Sequence, residues 1–195
     1  MAERQMITRL EESRPDHTMR YQLAIEVLRQ NNLTARVLDA GCGVGYGSHM
    51  LAEWVQAVTA VDISTEAYQH YRQYFARPNI TYLNQSLLAL DKDQQFDAIV
   101  CFEFIEHVTF AEEAVKLFGE LADVLIISSP NELIRPWAMP PVNPYHVRHY
   151  TPQELEELLQ LGGFTVRNWY HQKSGGQPQI HTGPDGKFMI AVASK

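Results

Sequence analysis

The sequence of 195 residues has few cysteines, a deficit of positive charge and no long apolar run. Its two cysteines, Cys42 and Cys101, are too few for a disulfide framework or a four-cysteine metal site. Lysine and arginine number 16 against 23 acidic residues, and the net charge of −7 disfavours a nucleic-acid partner. No apolar run approaches the roughly 18 residues that a membrane-spanning helix needs. We therefore expect no membrane span.

The first residues, Met1–Arg4, lack the basic and apolar regions of a secretory signal. Together with the low cysteine content, this predicts a reduced, cytoplasmic protein. The 45% of apolar residues suffices for one hydrophobic core at this length. We expect a single domain over residues 1–195, and no pattern in the sequence specifies an oligomeric state.

Helical periodicity alternates with short apolar runs along the chain. Helices are predicted at 17–31 and 48–54, after Ser64, after Thr109 and after Thr151, with possible capping boxes at the last two. Strands are predicted at 35–39, 57–62, 80–83, 96–101 and 123–128, and a terminal hairpin at 164–170 and 187–193. This alternation predicts an α/β fold, a Rossmann-like doubly wound and mostly parallel seven-stranded sheet with an antiparallel C-terminal edge hairpin.

The predicted elements divide the chain into four parts. Residues 1–33 form an N-terminal helical cap, and residues 34–128 form a cofactor-binding core. Residues 129–150 hold five prolines without periodicity, and so long a connection favours a substrate loop or lid. Residues 151–195 contain the last helix and the terminal hairpin.

A glycine-rich loop, Gly41–Gly47, follows the first predicted strand. Glycines at 41, 43 and 45 allow a tight turn and a close approach of a ligand to the backbone. A dinucleotide site would prefer glycine at 46, where this chain has tyrosine, and Asp39 precedes the loop. Asp62 ends the second strand, where a carboxylate binds ribose hydroxyls. The pattern favours nucleoside binding over a turn that only packs.

These segments resemble the motifs of class I S-adenosylmethionine-dependent methyltransferases. The similarity begins near residue 17 and continues to the end of the chain. It implies that the chain binds S-adenosyl-L-methionine and transfers its methyl group. The matching segments are His17–Tyr21, Val37–Met50, Val61–Ser64, Phe96–His107, Ile127–Asn131 and Asn143–Thr151.

The resemblance also implies a set of cofactor contacts. Asp39 would orient the methionine amino group, Asp62 would hold the ribose hydroxyls, and Ile63 would pack on the adenine. The family often has an acid after the third strand, and Gln85 or Ser86 stands there in this chain. The remaining expected contacts are Gly41, Cys42, Gly43, Phe102, Glu103 and, for the methionine carboxylate, Arg20.

The segment Glu103–His107 follows a central strand, where open α/β sheets place their chemistry. His107, Glu106 and His146 are the predicted catalytic residues, since imidazole and carboxylate groups serve as acids and bases. Glu103, Glu106 and His107 are also a candidate divalent-metal set, with Mg²⁺ as the expected ion. The alternative is that the two acids contact the cofactor and begin a helix, while His107 is hydrogen-bonded locally.

The acceptor is expected to be a hydroxyl of a small molecule or of a sugar or glycan. The Glu-x-x-Glu-His pattern is similar to that of ubiquinone-pathway O-methyltransferases, and the loop 130–150 resembles methyltransferases of glycan modification. Two alternatives remain open. One is a metal-dependent RNA 3′-terminal 2′-O-methyltransferase, which also has the Glu/His pattern. The other is a cofactor-binding module without catalysis.

Overall fold

The computed structural model describes residues 5–174 and 177–195. The first four residues of the expected N-terminal cap, and residues 175 and 176 between the hairpin strands, lie outside this description. The helices are α1 (Pro15–Gln30), α2 (Tyr46–Leu51), α3 (Thr65–Tyr74), α4 (Ala111–Leu121) and α5 (Pro152–Gln160). The strands are β1 (Arg36–Ala40), β2 (Ala57–Asp62), β3 (Ile80–Asn84), β4 (Ala98–Cys101), β5 (Val124–Pro130), β6 (Thr165–Gln172), β7 (His181–Thr182) and β8 (Phe188–Ser194).

All eight strands belong to one sheet, in the order β3-β2-β1-β4-β5-β8-β6-β7. The first five strands along this order are parallel, and β8, β6 and β7 continue it in antiparallel pairing. The predicted fold class is therefore confirmed. The sheet has one strand more than the seven expected, because the two-residue β7 pairs with the end of β6.

Helices cover both faces of the sheet. Side chains alternate between the two faces along each strand, so each strand contributes apolar side chains to both helical layers. In β4, Ile99 and Cys101 pack toward α4 and α5, whereas Ala98 and Val100 pack toward α1, α2 and α3. All four side chains are fully buried, as expected for a central parallel strand that is covered on both faces. No helix in the described part of the chain combines the length and apolarity needed to cross a membrane.

The strand order of the sheet reverses between β1 and β4, which is the topological switch point of the fold. β1, β2 and β3 extend one way from the centre, and β4 and β5 extend the other way. In open α/β sheets a crevice forms at this reversal, outside the carboxyl ends of the strands. The residues that follow β1, β2 and β4 are therefore placed to share one site.

Two boundaries differ from the sequence-based expectation. β5 continues to Pro130, because Ser129 and Pro130 pair with Met189 and Phe188 of β8, so the long loop begins at Asn131. The capping box expected at Thr109 is wrong: Phe110 is the N-cap of α4 and makes no side-chain cap hydrogen bond.

At α5 the expected capping box is present and gives a stability prediction. The Thr151 hydroxyl accepts from the Glu154 N–H, and the Glu154 carboxylate accepts from the Thr151 N–H. Thr151→Ala removes the hydroxyl that accepts from the Glu154 N–H, and it should lower the free energy of unfolding by about 1 kcal/mol. Thermal denaturation should show a melting temperature lower by roughly 2–4 °C.

Gln153→Ala on the same exposed turn is the matched control and should melt close to the wild type, since Gln153 contacts only Glu157 through its side chain. Equal melting temperatures for the Thr151 and Gln153 variants would contradict a stabilising role of the box.

Candidate functional site

The loop between β1 and α2 turns through three glycines with left-handed backbone. Gly41, Gly43 and Gly45 have φ of 74°, 55° and 81°. The Gly41 and Cys42 N–H groups donate to the Val61 carbonyl at 2.9 and 3.1 Å, which ties the turn to β2. A side chain at Gly41 would overlap the ring of Phe104. Both the φ angle and the close contact therefore require glycine there.

Asp62, at the end of β2, holds the other side of this turn. Its Oδ2 accepts from the Gly43 N–H at 2.9 Å, and its Oδ1 accepts from the Ser64 N–H at 2.8 Å. These two bonds fix the carboxylate at the end of β2, against the backbone of the glycine turn. The next residue, Ile63, is 72% exposed beside it. An apolar side chain and a carboxylate thus lie together at the sheet edge.

Asp39 is completely buried beneath the turn. The Tyr21 hydroxyl of α1 donates to its Oδ1 at 3.1 Å, and the Ser48 hydroxyl of α2 donates to its Oδ2 at 2.6 Å. Burial raises the pKa of Asp39 to about 6, although both hydroxyl donors act in the opposite direction. Asp39 therefore joins α1, β1 and α2.

Arg20 of α1 is a buried cation beside the carboxyl end of β4, and only 1% of it is exposed. Its Nη1 donates to Gln172 Oε1 at 3.1 Å and lies 3.7 Å from Glu103 Oε1. Its Nη2 lies 3.6 Å from Asp16 Oδ2 and has no hydrogen-bond partner among the described residues. A buried guanidinium nitrogen in this state indicates a ligand acceptor.

Phe102 and Glu103 follow β4 directly. Phe102 is buried with its ring edge-to-face against Tyr21, at a centroid distance of 5.1 Å. The Glu103 N–H donates to Ser128 Oγ at 3.1 Å, and that hydroxyl donates back to Glu103 Oε1 at 2.9 Å. Glu103 has φ of 50°, a left-handed conformation that is rare outside glycine and often marks a functional turn.

The position expected to face the adenine lies after β3. The Gln85 side chain donates to the Ala89 carbonyl at 3.1 Å and so turns back onto its own loop. Ser86 is partly buried and precedes a short 3₁₀ turn without making a side-chain cap hydrogen bond.

The predicted catalytic residues Glu106, His107 and His146 come together. One potential ligand atom from each lies within 4.8 Å of the others. Glu106 is fully buried, and its Oε1 is 4.0 Å from His107 Nε2. Glu103 is not part of this group, since its carboxylate faces Ser128 and Arg20. The metal set expected from the sequence thus differs from the observed cluster in one member, His146 in place of Glu103.

Hydrogen bonds on the far side of each imidazole fix the tautomers in this cluster. His149 Nδ1 must donate to the Arg135 carbonyl at 2.8 Å, so its Nε2 accepts from His146 Nδ1 at 2.7 Å. His107 Nδ1 likewise donates to the Tyr145 carbonyl at 3.0 Å. In neutral His107 and His146 the Nε2 atoms then carry lone pairs. Burial, with His107, His149 and Arg135 nearby, lowers the pKa of His146 to about 3.

Sequence reasoning missed two residues of the site, Tyr21 and Ser48, and the role of a third, His149. Tyr21 lies in the quoted segment His17–Tyr21, but nothing in that pattern indicates a hydrogen bond to Asp39. Ser48 carries no signal beyond its place one turn after the glycines. His149 lies in the loop after β5, and only the structure shows that its imidazole connects the Arg135 carbonyl to His146.

The turn, the two acids Asp39 and Asp62, and the crevice beside β1 define a nucleoside-binding α/β protein. Comparison with known proteins identifies the family within this class. Residues 16–168 match the family model described as a methyltransferase domain. The chain therefore belongs to the class I S-adenosylmethionine-dependent methyltransferase superfamily.

Two curated relatives and one solved structure illustrate the similarity. A Mycolicibacterium smegmatis protein named as a probable S-adenosylmethionine-dependent methyltransferase is 31% identical over 154 residues, 76% of this chain and 59% of that protein. A ubiquinone biosynthesis O-methyltransferase of Coxiella burnetii is 41% identical over 133 residues, 64% of this chain and 56% of that enzyme. The chain thus spans a little over half the length of these relatives.

The solved structure is a magnesium protoporphyrin IX methyltransferase of Synechocystis PCC 6803 with bound S-adenosylhomocysteine. It superposes with a TM-score of 0.69 at 21% identity, covering 97% of this chain and 88% of that one. At this identity the match supports the fold.

The glycine turn gives a prediction with a matched control. Gly41 and Gly163 both have positive φ. A Cβ added at Gly41 would overlap the Phe104 side chain. A Cβ added at Gly163 would lie 3.9 Å from the flexible Lys195 side chain, which is an ordinary contact distance. Gly163→Ala should lower the free energy of unfolding by about 1 kcal/mol, from backbone strain. Gly41→Ala should lose roughly 1–3 kcal/mol more, from overpacking.

Urea denaturation of both variants measures these two losses. Equal losses would show that the contact with Phe104 does not constrain the turn.

Proposed function

We propose that this protein transfers the methyl group of S-adenosyl-L-methionine to a hydroxyl oxygen of a small molecule or a sugar or glycan. The observation that carries this proposal is the convergence of His107 and His146 on buried Glu106, next to a turn with the features of a nucleoside site. A hydroxyl nucleophile must lose its proton during transfer, and a lone pair on imidazole can accept it.

The residues of the turn suit the cofactor. The Asp62 carboxylate lies at the end of β2, where it would hold the ribose hydroxyls, and exposed Ile63 offers an apolar surface for the adenine ring. Arg20 Nη2 makes no hydrogen bond among the described residues, although Asp16 lies 3.6 Å away, and this buried N–H group suits an oxygen of the methionine carboxylate. Gly41, Cys42 and Gly43 would line the cofactor, with Ser86 on the adenine side and Phe102 and Glu103 on the methionine side.

When bound, the cofactor supplies a methyl group activated by its sulfonium. The chain's contribution is then alignment, exclusion of water and movement of one proton. His107 would accept this proton at Nε2, and Glu106 lies 4.0 Å from that atom, where its carboxylate would stabilise the imidazolium that forms. His146 would position the acceptor beside His107. The carbonyl of Tyr145 holds His107 in this tautomer, and His149 does the same for His146.

The same three groups also favour a divalent cation as a second possibility. Two imidazoles and one carboxylate suit ions such as Mn²⁺ or Zn²⁺ better than Mg²⁺, which prefers oxygen ligands. An ion held by Glu106, His107 and His146 would supply positive charge that stabilises a deprotonated hydroxyl. We therefore propose a transition-metal ion in place of the Mg²⁺ expected from the sequence.

The name of the Coxiella burnetii relative supports oxygen as the acceptor atom. RNA as an acceptor is less favoured, because the net charge is −7 and backbone binding needs clustered cations. A cofactor-binding module without catalysis is less favoured as well, since cofactor binding alone does not need His107 and His146 to converge on buried Glu106.

The raised pKa of Asp39 predicts how cofactor affinity depends on pH. If Asp39 orients the methionine amino group, binding requires its ionised form. Its pKa of about 6 means that the folded protein protonates it below that pH. Affinity for S-adenosylhomocysteine, measured by isothermal titration between pH 5 and 8, should fall about tenfold per pH unit below pH 6.

Asp39→Asn keeps one acceptor oxygen for the two hydroxyls of Tyr21 and Ser48 but carries no charge, so its binding should be weak and independent of pH over this range. Thermal denaturation should show that this variant is folded. A wild-type affinity without pH dependence would exclude this role of Asp39. No binding by folded protein would exclude the proposed function itself.

The cluster predicts how methyl transfer responds to substitution. Labelled methyl transfer to a panel of catechols, simple phenols and sugar hydroxyls should fall about 10²–10⁴-fold in His107→Ala and His146→Ala. His181→Ala is the control, because His181 lies in the exposed strand β7. Cofactor affinity should be unchanged in all three variants, which separates proton transfer from cofactor binding.

Chelator treatment then distinguishes the two proposed uses of the cluster. If a metal is required, EDTA should abolish transfer, and Mn²⁺ or Zn²⁺ should restore it to the wild type but not to His146→Ala. Transfer that resists EDTA supports the histidine base alone. Full activity of both histidine variants would exclude a catalytic role of the cluster.

A further inference from the structure

The loop after β5 exposes an unusual amount of apolar surface. Thirteen large apolar residues are exposed in the described part of the chain, and seven of them lie within the 15 residues from 133 to 147. We call these seven the lid face. They are Leu133, Ile134, Trp137, Met139, Val142, Tyr145 and Val147, with exposed fractions of 40% to 68%. Soluble monomers rarely expose so concentrated an apolar patch without a use for it.

The lid face also departs from the charge of the whole molecule. No Asp or Glu occurs from Leu133 to Tyr150, although the chain has 23 acids and a net charge of −7. This stretch instead contains Arg135 and Arg148. Lys187 at the start of β8 belongs to the same neighbourhood, since burial and the nearby cations Arg135 and Arg14 lower the pKa of its ammonium. Arg148 pairs with Glu154 at 2.8 Å, and Glu132 precedes the stretch, so the positive charge beside the apolar surface comes from Arg135 and Lys187.

The residue types indicate which kind of partner fits this surface. Tryptophan, tyrosine, methionine and aliphatic side chains beside arginine are typical of segments that enter the interface of an anionic membrane. Cations near such a surface are attracted to acidic headgroups. One of its seven residues, Val147, also contributes to a cavity of about 580 Å³ beside α5.

Docking through the lid face would bring the catalytic cluster to the lipid surface. The loop binds the cluster through its own backbone, because the Tyr145 carbonyl accepts from His107 Nδ1 and the Val147 N–H donates to the Glu106 carbonyl at 2.8 Å. The Trp137 indole N–H donates to the His146 carbonyl at 3.0 Å, so the aromatic anchor is fixed to the same loop.

We propose that the lid face docks this protein on anionic lipid bilayers. The surface is a peripheral contact, and it requires neither cofactor nor acceptor. Its failure would therefore leave the proposed methyl transfer untouched, and failure of methyl transfer would leave the docking untouched.

Vesicle sedimentation tests the proposal with the whole chain. The protein should sediment with vesicles of phosphatidylcholine and phosphatidylglycerol in equal parts, and it should remain in solution with phosphatidylcholine alone. Leu133→Gln/Ile134→Gln should weaken the binding by at least tenfold, since two apolar side chains are lost. Arg135→Gln should weaken it about fivefold, and added salt should have a similar effect.

Leu88→Gln/Met6→Gln is the matched control, because it removes two exposed apolar side chains elsewhere on the surface. This variant should sediment like the wild type, and thermal denaturation should show that all variants are folded. A second readout uses Trp54→Phe/Trp169→Phe, which leaves Trp137 as the one remaining tryptophan. Its fluorescence should shift to the blue when anionic vesicles are added.

Three results would overturn the proposal. The first is wild-type protein that stays in solution with anionic vesicles at low salt. The second is equal sedimentation of the wild type and Leu133→Gln/Ile134→Gln. The third is a dimer in analytical ultracentrifugation, without lipid, that this double variant dissociates, because the lid face would then hold a second copy of the chain.

Discussion

The buried carboxyl group of Asp39 is the constraint on which the site depends. A carboxylate without exposure is stable only when donors surround it, and here Tyr21 of α1 and Ser48 of α2 provide them. One side chain of β1 therefore fixes the helix before the strand and the helix after it. The glycine turn lies between these partners, and Asp62 closes its other side. Packing and binding thus share the same polar contacts.

The second half of the site is held by backbone carbonyl groups. The carbonyls of Tyr145 and Arg135 accept from His107 and His149, and this decides which imidazole nitrogens carry lone pairs. A loop of irregular structure can accept hydrogen bonds from these imidazoles, because its backbone carbonyls are not paired with N–H groups of a helix or a sheet. The same loop turns its apolar side chains outward, so one segment links the proposed chemistry with the proposed membrane contact.

The accuracy of the sequence predictions differs between parts of the molecule. β2 has the predicted bounds, and the capping box at Thr151 is confirmed, because both follow from local patterns. Thr109 failed as a cap although its pattern is the same, since Phe110 takes that position. The two-residue β7 has no signal of its own, because it depends on its partner β6.

The sequence by itself determined the α/β class, the turn that needs glycine at 41 and the acids at the ends of β1 and β2. These features depend on periodicity, on φ angles and on spacing along the chain, which are local properties. Only the tertiary structure decided that His146 joins Glu106 and His107, that Glu103 turns to Ser128 and Arg20, and that His149 stands behind His146. The widest of these contacts joins Arg20 and Glu103, about 80 positions apart, and no local pattern encodes it.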